Sequence, residues 1–238
     1  MKIALIGYGK MGKAIEQIAI QRGHEIVLKV GIENLGDNTI ENIRKADVAI
    51  EFTGPESAFE NVIRCIEAGV PVVCGSTGWL TRYEEAKNTC LAHKGALLYA
   101  SNFSVGVNIF FAINKRLAEL MAPHKEYNVS MTEVHHTEKK DAPSGTAITL
   151  AEQILDKNEQ KKQWVNNPSN LSQDLVIISE RIDPAPGTHI ITYKSEIDDI
   201  EIKHTAHNRT GFATGAVLAA EYLHDKKGIY TMSDVLGI

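Results

Sequence analysis

The chain has 238 residues, a formal net charge of -5, and 43% hydrophobic and 23% charged residues. That length can bury a sizeable core, as one large domain or two small ones. The acidic balance argues against a nucleic-acid partner, and no apolar run reaches membrane-spanning length.

The N-terminus starts directly on a strand-like run, with no signal-peptide cleavage pattern. Ile3 to Ile6 leads into Gly7-Tyr8-Gly9-Lys10-Met11-Gly12, and a helix follows with Met11, Ile15, Ile18 and Ala19 on one face. This is G-x-G-x-x-G between strand and helix, the context that dinucleotide binding requires. The first glycine allows the tight turn, the second lets a pyrophosphate approach, and the third lets helix pack on strand. A second strand, Glu25 to Val30, ends near Glu33, about twenty residues beyond the last glycine, where an acid hydrogen-bonds a ribose 2′-hydroxyl. Asn34 follows and no arginine stands beside it, which tilts the cofactor toward NADH. Lys10, Lys13 or Lys29 could still reach the extra phosphate of NADPH.

Strand and helix then alternate. Ala46 to Thr53, Pro71 to Cys74 and Ala96 to Tyr99 read as strands, with a helix at Pro55 to Ala68 and another after Trp79. The expected result is a parallel sheet with helices on both faces. Ligands bind at the carboxyl ends of such strands, so the loops Gly75-Ser76-Thr77 and Ala100-Ser101-Asn102-Phe103 share an edge with the glycine turn. Cys65, Cys74 and Cys90 are odd in number and lack paired spacing, so they read as reduced packing cysteines of a cytoplasmic protein.

Val105 to Met121 reads as a helix with Ile109, Ile113, Leu117 and Leu120 facing inward. Asp156 to Asn170 is polar and loop-like, with Trp164 as its anchor. Leu175 to Arg181, Thr188 to Lys194 and Ile200 to Thr205 are β-like, and their short connections suit antiparallel pairing in a mixed, open sheet. Such a sheet exposes a face that a second subunit could cover. Gly211 to Leu223 is helical and is expected to return with the tail to the first domain. The domains are therefore 1–104 with 212–238, and 105–211, with hinges near Ser104–Gly106 and Arg209–Gly211.

Glu133 to Thr146, EVHHTEKKDAPSGT, carries the densest chemistry. The strand before it alternates Tyr127, Val129 and Met131 with polar neighbours. His135 and His136 would face opposite ways if that strand ran through both. Ala147, Ile148, Leu150, Ala151, Ile154 and Leu155 then recur at helical spacing. Ser144 or Asp141 can cap this helix, and Pro143 suits its first turn. The amides of Gly145 and Thr146 would face an anion, with Lys139 and Lys140 just ahead. This reads as a carboxylate or phosphate site with an imidazole placed for proton transfer. Adjacent histidines chelate poorly and no spaced ligand pair appears, so no metal centre is expected.

The stretch resembles the signature E-(A/V)-H-H-x-x-K-x-D-A-P-S-G-T of the dihydrodipicolinate reductases of lysine synthesis. The glycine turn, the loop Gly75–Gly78, the run Ser101–Val107 and Phe212–Ala216 extend the resemblance over nearly the whole chain. It implies a Rossmann-type nucleotide domain and an α+β substrate domain built on a mixed open sheet, the latter pairing into a homotetramer. It implies NAD(P)H-dependent reduction of a cyclic dicarboxylate, 4-hydroxy-tetrahydrodipicolinate, with loss of water. By motif, His135 is the proton donor or acceptor and Lys139 the second catalytic group. His136, Lys139, Ser144, Gly145 and Thr146 would hold substrate. The Gly7–Gly12 turn with Glu33 would take the adenine half of the cofactor, and the loops at Gly75–Thr77 and Ala100–Phe103 the nicotinamide half. The chain departs from the family at Asp183, Pro184 and Pro186, where flexible residues are usual. A different two-domain dehydrogenase, or a nucleotide-binding redox sensor without turnover, are the competing readings. Neither accounts for the paired His135 and Lys139.

Overall fold

Ile3 to Ile6 are apolar on both strand faces, the pattern of a strand covered on two sides. The computed structural model describes residues 1–208 and 210–238. It forms two compact units, Met1–Val105 with Thr210–Ile238, and Gly106–Arg209. The second expected hinge begins at Arg209, which lies outside the described residues.

The first unit runs β1 (Lys2–Ile6), α1 (Lys10–Gln21), β2 (Glu25–Val30), α2 (Ile40–Ile43), β3 (Val48–Glu51), α3 (Pro55–Glu67), β4 (Val72–Cys74), α4 (Tyr83–Ala92) and β5 (Ala96–Tyr99). After the second unit it resumes with α7 (Thr210–Leu223), β11 (Gly228–Tyr230) and α8 (Met232–Leu236). Its six strands are ordered β11-β5-β4-β3-β1-β2, and every pair is parallel. One face packs Phe59, Val62 and Ile66 of α3 with Cys90 of α4; the other packs Ile15 and Ala19 of α1 with Ala216 and Ala220 of α7. Arg22 and His24, just beyond α1, both bond Glu221 of α7 at 2.7 Å, which ties the returning helix in. The expected tail holds no strand, but β11 extends the sheet beyond β5. A three-residue run carries too little pattern to be read alone. Cys65, Cys74 and Cys90 are free and buried.

The second unit holds α5 (Val105–Met121), β6 (Asn128–His135), α6 (Gly145–Lys157), β7 (Gln163–Val165), β8 (Asp174–Arg181), β9 (Gly187–Lys194) and β10 (Asp199–Ala206). Its five-stranded sheet is ordered β10-β9-β6-β8-β7. β9 is antiparallel to both β10 and β6, whereas β8 is parallel to β6. The mixed sheet is as expected, but β8 and β9 are not hairpin partners, because β6 lies between them. The polar stretch read as loop contains β7, whose Trp164 packs on the core. Its order comes from Lys161, buried yet satisfied by Asn128 Oδ1 at 2.7 Å and the carbonyls of Ser172 and Asp174 at 2.9 Å.

The inward face of α5 also differs from expectation. Val107, Phe110, Asn114, Ala118 and Met121 are buried, whereas Ile109, Ile113 and Leu120 are 43%, 47% and 51% exposed. Asn114 sets this rotation by donating to Leu150 O and Gln153 Oε1 of α6. A buried amide with two acceptors outweighs an apolar stripe that the sheet does not cover.

Among the described residues, no helix is long and apolar enough to cross a membrane.

Candidate active site

In the first unit the glycine turn has a separate physical role at each position. Gly7 has φ of +102°, and a Cβ there would lie 2.1 Å from Phe52 O, so a side chain is excluded. A Cβ at Gly12 would lie 2.5 Å from Gly7 O, which explains how closely α1 packs on the turn. A Cβ at Gly9 would meet nothing within 4 Å. Gly9 is also the cap residue of α1, with no side-chain cap bond and no acid in the first turn. Gly7 N–H and Tyr8 N–H both donate to Val30 O, at 2.9 and 2.8 Å, so the part of the turn that faces an anionic ligand such as a pyrophosphate is the positively polarised amino end of α1. Lys10 is exposed and Met11 half-buried. Tyr8 turns aside, its hydroxyl donating to Glu16 and Lys29 lying 5.2 Å over its ring. Glu33 is exposed in the turn after β2, and Asn34 braces that turn by accepting from Gly31 N at 2.8 Å.

Phe52, which sequence reading passed over, joins the loops at this sheet edge. Its carbonyl abuts Gly7, and a Cβ at Gly75 would lie 2.2 Å from its ring. The ring itself is 5.5 Å from that of Phe103. Phe103 is buried in the core and Ser76 is buried with its hydroxyl accepting from Thr53 N at 2.8 Å. These two side chains face inward, whereas Thr77 and Ser101 are exposed and Gly75, Ala100 and Asn102 half-buried. Beneath them Glu51, fully buried, accepts from Thr53 N at 2.9 Å and from the Cys74 thiol at 3.0 Å. Burial, reinforced by this carboxylate, pushes the Cys74 thiol well up in pKa, so it stays neutral.

In the second unit, alternation along β6 puts Val129, Met131, Glu133 and His135 on its buried face. The strand ends at His135, so the alternation does not govern His136. Glu133 is 0% exposed. Ser144 N–H donates to both its oxygens at 3.1 Å, the Ser179 hydroxyl at 2.8 Å and Arg181 Nη2 at 3.3 Å. Burial favours the neutral acid, but the Ser144 and Ser179 donors together with His135 hold the carboxyl below its usual range. The Nδ1 of His135 lies 3.5 Å from Glu133 Oε2, and the Nε2 of His189 on β9 lies 3.8 Å from the same oxygen. The two imidazoles are 5.2 Å apart and nearly perpendicular. Burial lowers the His135 pKa, and the Glu133 charge only partly offsets this. Burial also pushes His189 down to about 4.

These three side chains bring possible ligand atoms within 4.8 Å of one another. Three donor groups already bond the carboxylate, and one of them, the Arg181 guanidinium at 3.3 Å, repels a cation.

The tail of β8 fastens the loop that follows His135. Arg181 donates to the carbonyls of Lys139 and Asp141, at 3.3 and 2.6 Å. Lys139 is half-buried with its ammonium on Asp141, at 2.7 and 2.8 Å. His136 is half-buried and lines a shallow pocket of about 450 Å³ with Thr137, Asp183 and Pro186. Ser144, not Asp141, caps α6, its hydroxyl accepting from Ala147 N at 3.2 Å and lying 3.2 Å from His189 Nε2. That hydroxyl is committed to the interior. Pro143 precedes the cap instead of sitting in the first turn. Gly145 is exposed with open space beyond its Cα, and Thr146 is half-buried beside it. Glu133, Ser179, Arg181 and His189 were not singled out from sequence. An acid and a histidine at apolar-phase positions of two strands were the available signals.

A family model described as "Dihydrodipicolinate reductase, N-terminus" matches residues 1–103, and one described as "Dihydrodipicolinate reductase, C-terminus" matches residues 106–236. A 4-hydroxy-tetrahydrodipicolinate reductase of Christiangramia forsetii is 50% identical over 238 residues, covering 99% of this chain and 98% of the relative. One from Methanosarcina barkeri is 35% identical, covering 97% and 83%. A dipicolinate-bound dihydrodipicolinate reductase from Paenisporosarcina has the same fold, with a TM-score of 0.78 at 23% identity and 97% of each chain covered. The chain belongs to the dihydrodipicolinate reductase family, and with it to the NAD(P)H-dependent oxidoreductases of lysine and diaminopimelate biosynthesis.

Proposed function

We propose that the chain reduces 4-hydroxy-tetrahydrodipicolinate to tetrahydrodipicolinate with loss of water, His135 transferring the proton and Lys139 assisting as a cation. The observation that carries this is the placement of His135, at the end of β6 against a buried carboxylate and one loop ahead of the open amino end of α6. The bound nicotinamide supplies the hydride. Hydride addition to a conjugated imine builds electron density on the ring nitrogen and on the carbon beside the acceptor. A proton donor and a fixed cation stabilise that charge.

The substrate's carboxylates suit the Gly145 and Thr146 amides, with His136 alongside. Lys139 can exchange its Asp141 partner for a substrate carboxylate at little net cost, since one ion pair replaces another. The Gly7–Gly12 turn holds the cofactor diphosphate, Glu33 the adenine-side ribose, and the loops at Gly75–Thr77 and Ala100–Phe103 the nicotinamide side, Ser76 and Phe103 through their backbone. NADH is preferred: Glu33 is an exposed acid, and Lys29, a candidate for a 2′-phosphate, is paired with Glu16 at 3.1 Å. The outer face of the second sheet, where Ile178 is 49% exposed, is the surface for a homotetramer. The enzyme works in the cytoplasm.

The test is a coupled assay with substrate generated in situ from pyruvate and aspartate semialdehyde by a synthase. Rapid oxidation of NADH that requires both precursors supports the reading, and faster oxidation of NADPH reverses the cofactor preference. No oxidation by a protein that still binds NADH returns it to the sensor reading.

A further inference from the structure

Glu133 is used in no step above, yet it is the hub of the second unit's polar interior. At 0% exposure it cannot touch substrate. Ser144 N–H is shared between its two oxygens, the Ser179 hydroxyl and Arg181 bond Oε1, and Oε2 turns toward the two histidines. His135 is 7% exposed, and its Nδ1 is buried without a hydrogen-bond partner, aimed at that oxygen from 3.5 Å. The other ring nitrogen has different surroundings. A Cβ on Gly187 would lie 3.2 Å from His135 Nε2, so the missing side chain is what leaves space beside that atom.

We infer that Glu133 is the positioning residue of the proton donor: it holds the proton on Nδ1 of His135, so that Nε2, kept open by Gly187, is the atom that exchanges a proton with the substrate. This rests on the reading of His135 given above. In the step, the Nε2–H bond breaks, its electron pair stays on the ring, and the proton goes to the substrate atom made electron-rich by hydride addition. Nδ1–H stays in place, and solvent restores the Nε2 proton. A buried carboxylate beside Nδ1 fixes the tautomer, orients the ring and favours the imidazolium.

The groups facing His135 are Glu133 from β6, Lys139 and Asp141 from the following loop, Arg181 from the end of β8 and His189 from β9. Glu133 and Asp141 favour the charged ring; Lys139 and Arg181 oppose it, and His189 is neutral above pH of about 4. Glu133 is the closest acid and the only fully buried one in this set.

The experiment is Glu133→Gln in the full chain, with the His135 midpoint read by NMR titration and kcat followed against pH. The His135 midpoint should fall by about 1–2 pH units, as for loss of an adjacent opposite charge, with kcat near neutral pH falling about ten- to a hundredfold. KM for NADH should not move. A residue that only supports the fold would lower thermal stability and leave the midpoint in place. An unchanged midpoint and pH profile in folded Glu133→Gln overturns the inference. Gly187→Ala decides if that variant does not fold: lowered kcat with an unshifted His135 midpoint supports Nε2 as the exchanging atom, and full turnover overturns it. Full turnover in His135→Gln would instead remove the underlying reading of His135, so the two failures are distinguishable.

Discussion

Asp183 grips Thr137 with both carboxylate oxygens, accepting its backbone N–H at 3.0 Å and its hydroxyl at 2.6 Å. The hydroxyl and amide of Thr137 hold the carboxyl below the usual aspartate range. Ile182 N also donates to His135 O at 2.8 Å, so the tail of β8 is stitched to the loop carrying His136 and Lys139. Asp183, one of the residues that depart from the resembled signature's usual pattern, thus anchors the loop between the histidines and Lys139. Asp183→Ala removes both hydrogen bonds. KM for the dicarboxylate should rise, with NADH affinity unchanged. Steady-state kinetics and a separate NADH titration check both halves.

The glycine turn separates binding from folding. Gly12→Ala forces a Cβ against Gly7 O at 2.5 Å, backbone that cannot yield cheaply. It should cost about 1–3 kcal/mol, read as a lowered Tm. A Cβ at Gly9 meets nothing within 4 Å, so Gly9→Val should lower Tm less than Gly12→Ala does. It should abolish NADH binding, because the valine occupies the path of the pyrophosphate. Calorimetry of both variants, with and without NADH, tells the two effects apart.

His189 makes stability depend on pH. Its folded pKa of about 4 lies below the ordinary 6.5. Between those values the unfolded chain binds the proton and the native one does not, so acid favours unfolding. The loss begins as pH falls through 6.5 and is complete below about 4, reaching roughly 2 kcal/mol by pH 5. His135 and His204, also lowered by burial, act with the same sign. His189→Gln should therefore flatten, without abolishing, the fall in stability between pH 7 and 5 in denaturant titrations.

What could be read from sequence was what is local. The glycine turn, the strand before it and the Pro-Ser-Gly-Thr helix start announce themselves within a few residues. The face of α5 could not be read, because Asn114 and its partners on α6 decide it from 36 and 39 residues away. The same holds for the surroundings of His135. β6 lies between β8 and β9, and only that order brings Ser179, Arg181 and His189 onto Glu133. Phe52 has no local signature for a similar reason: its neighbours Gly7, Gly75 and Phe103 come from three other strand ends.

In the proposed reaction His135 carries the proton. Turnover of His135→Gln, measured with saturating NADH and synthase-generated substrate, addresses it directly. The expected result is a fall in kcat of about a hundredfold or more, the scale of a lost general acid, with NADH affinity intact. Turnover equal to that of the unaltered chain would contradict it.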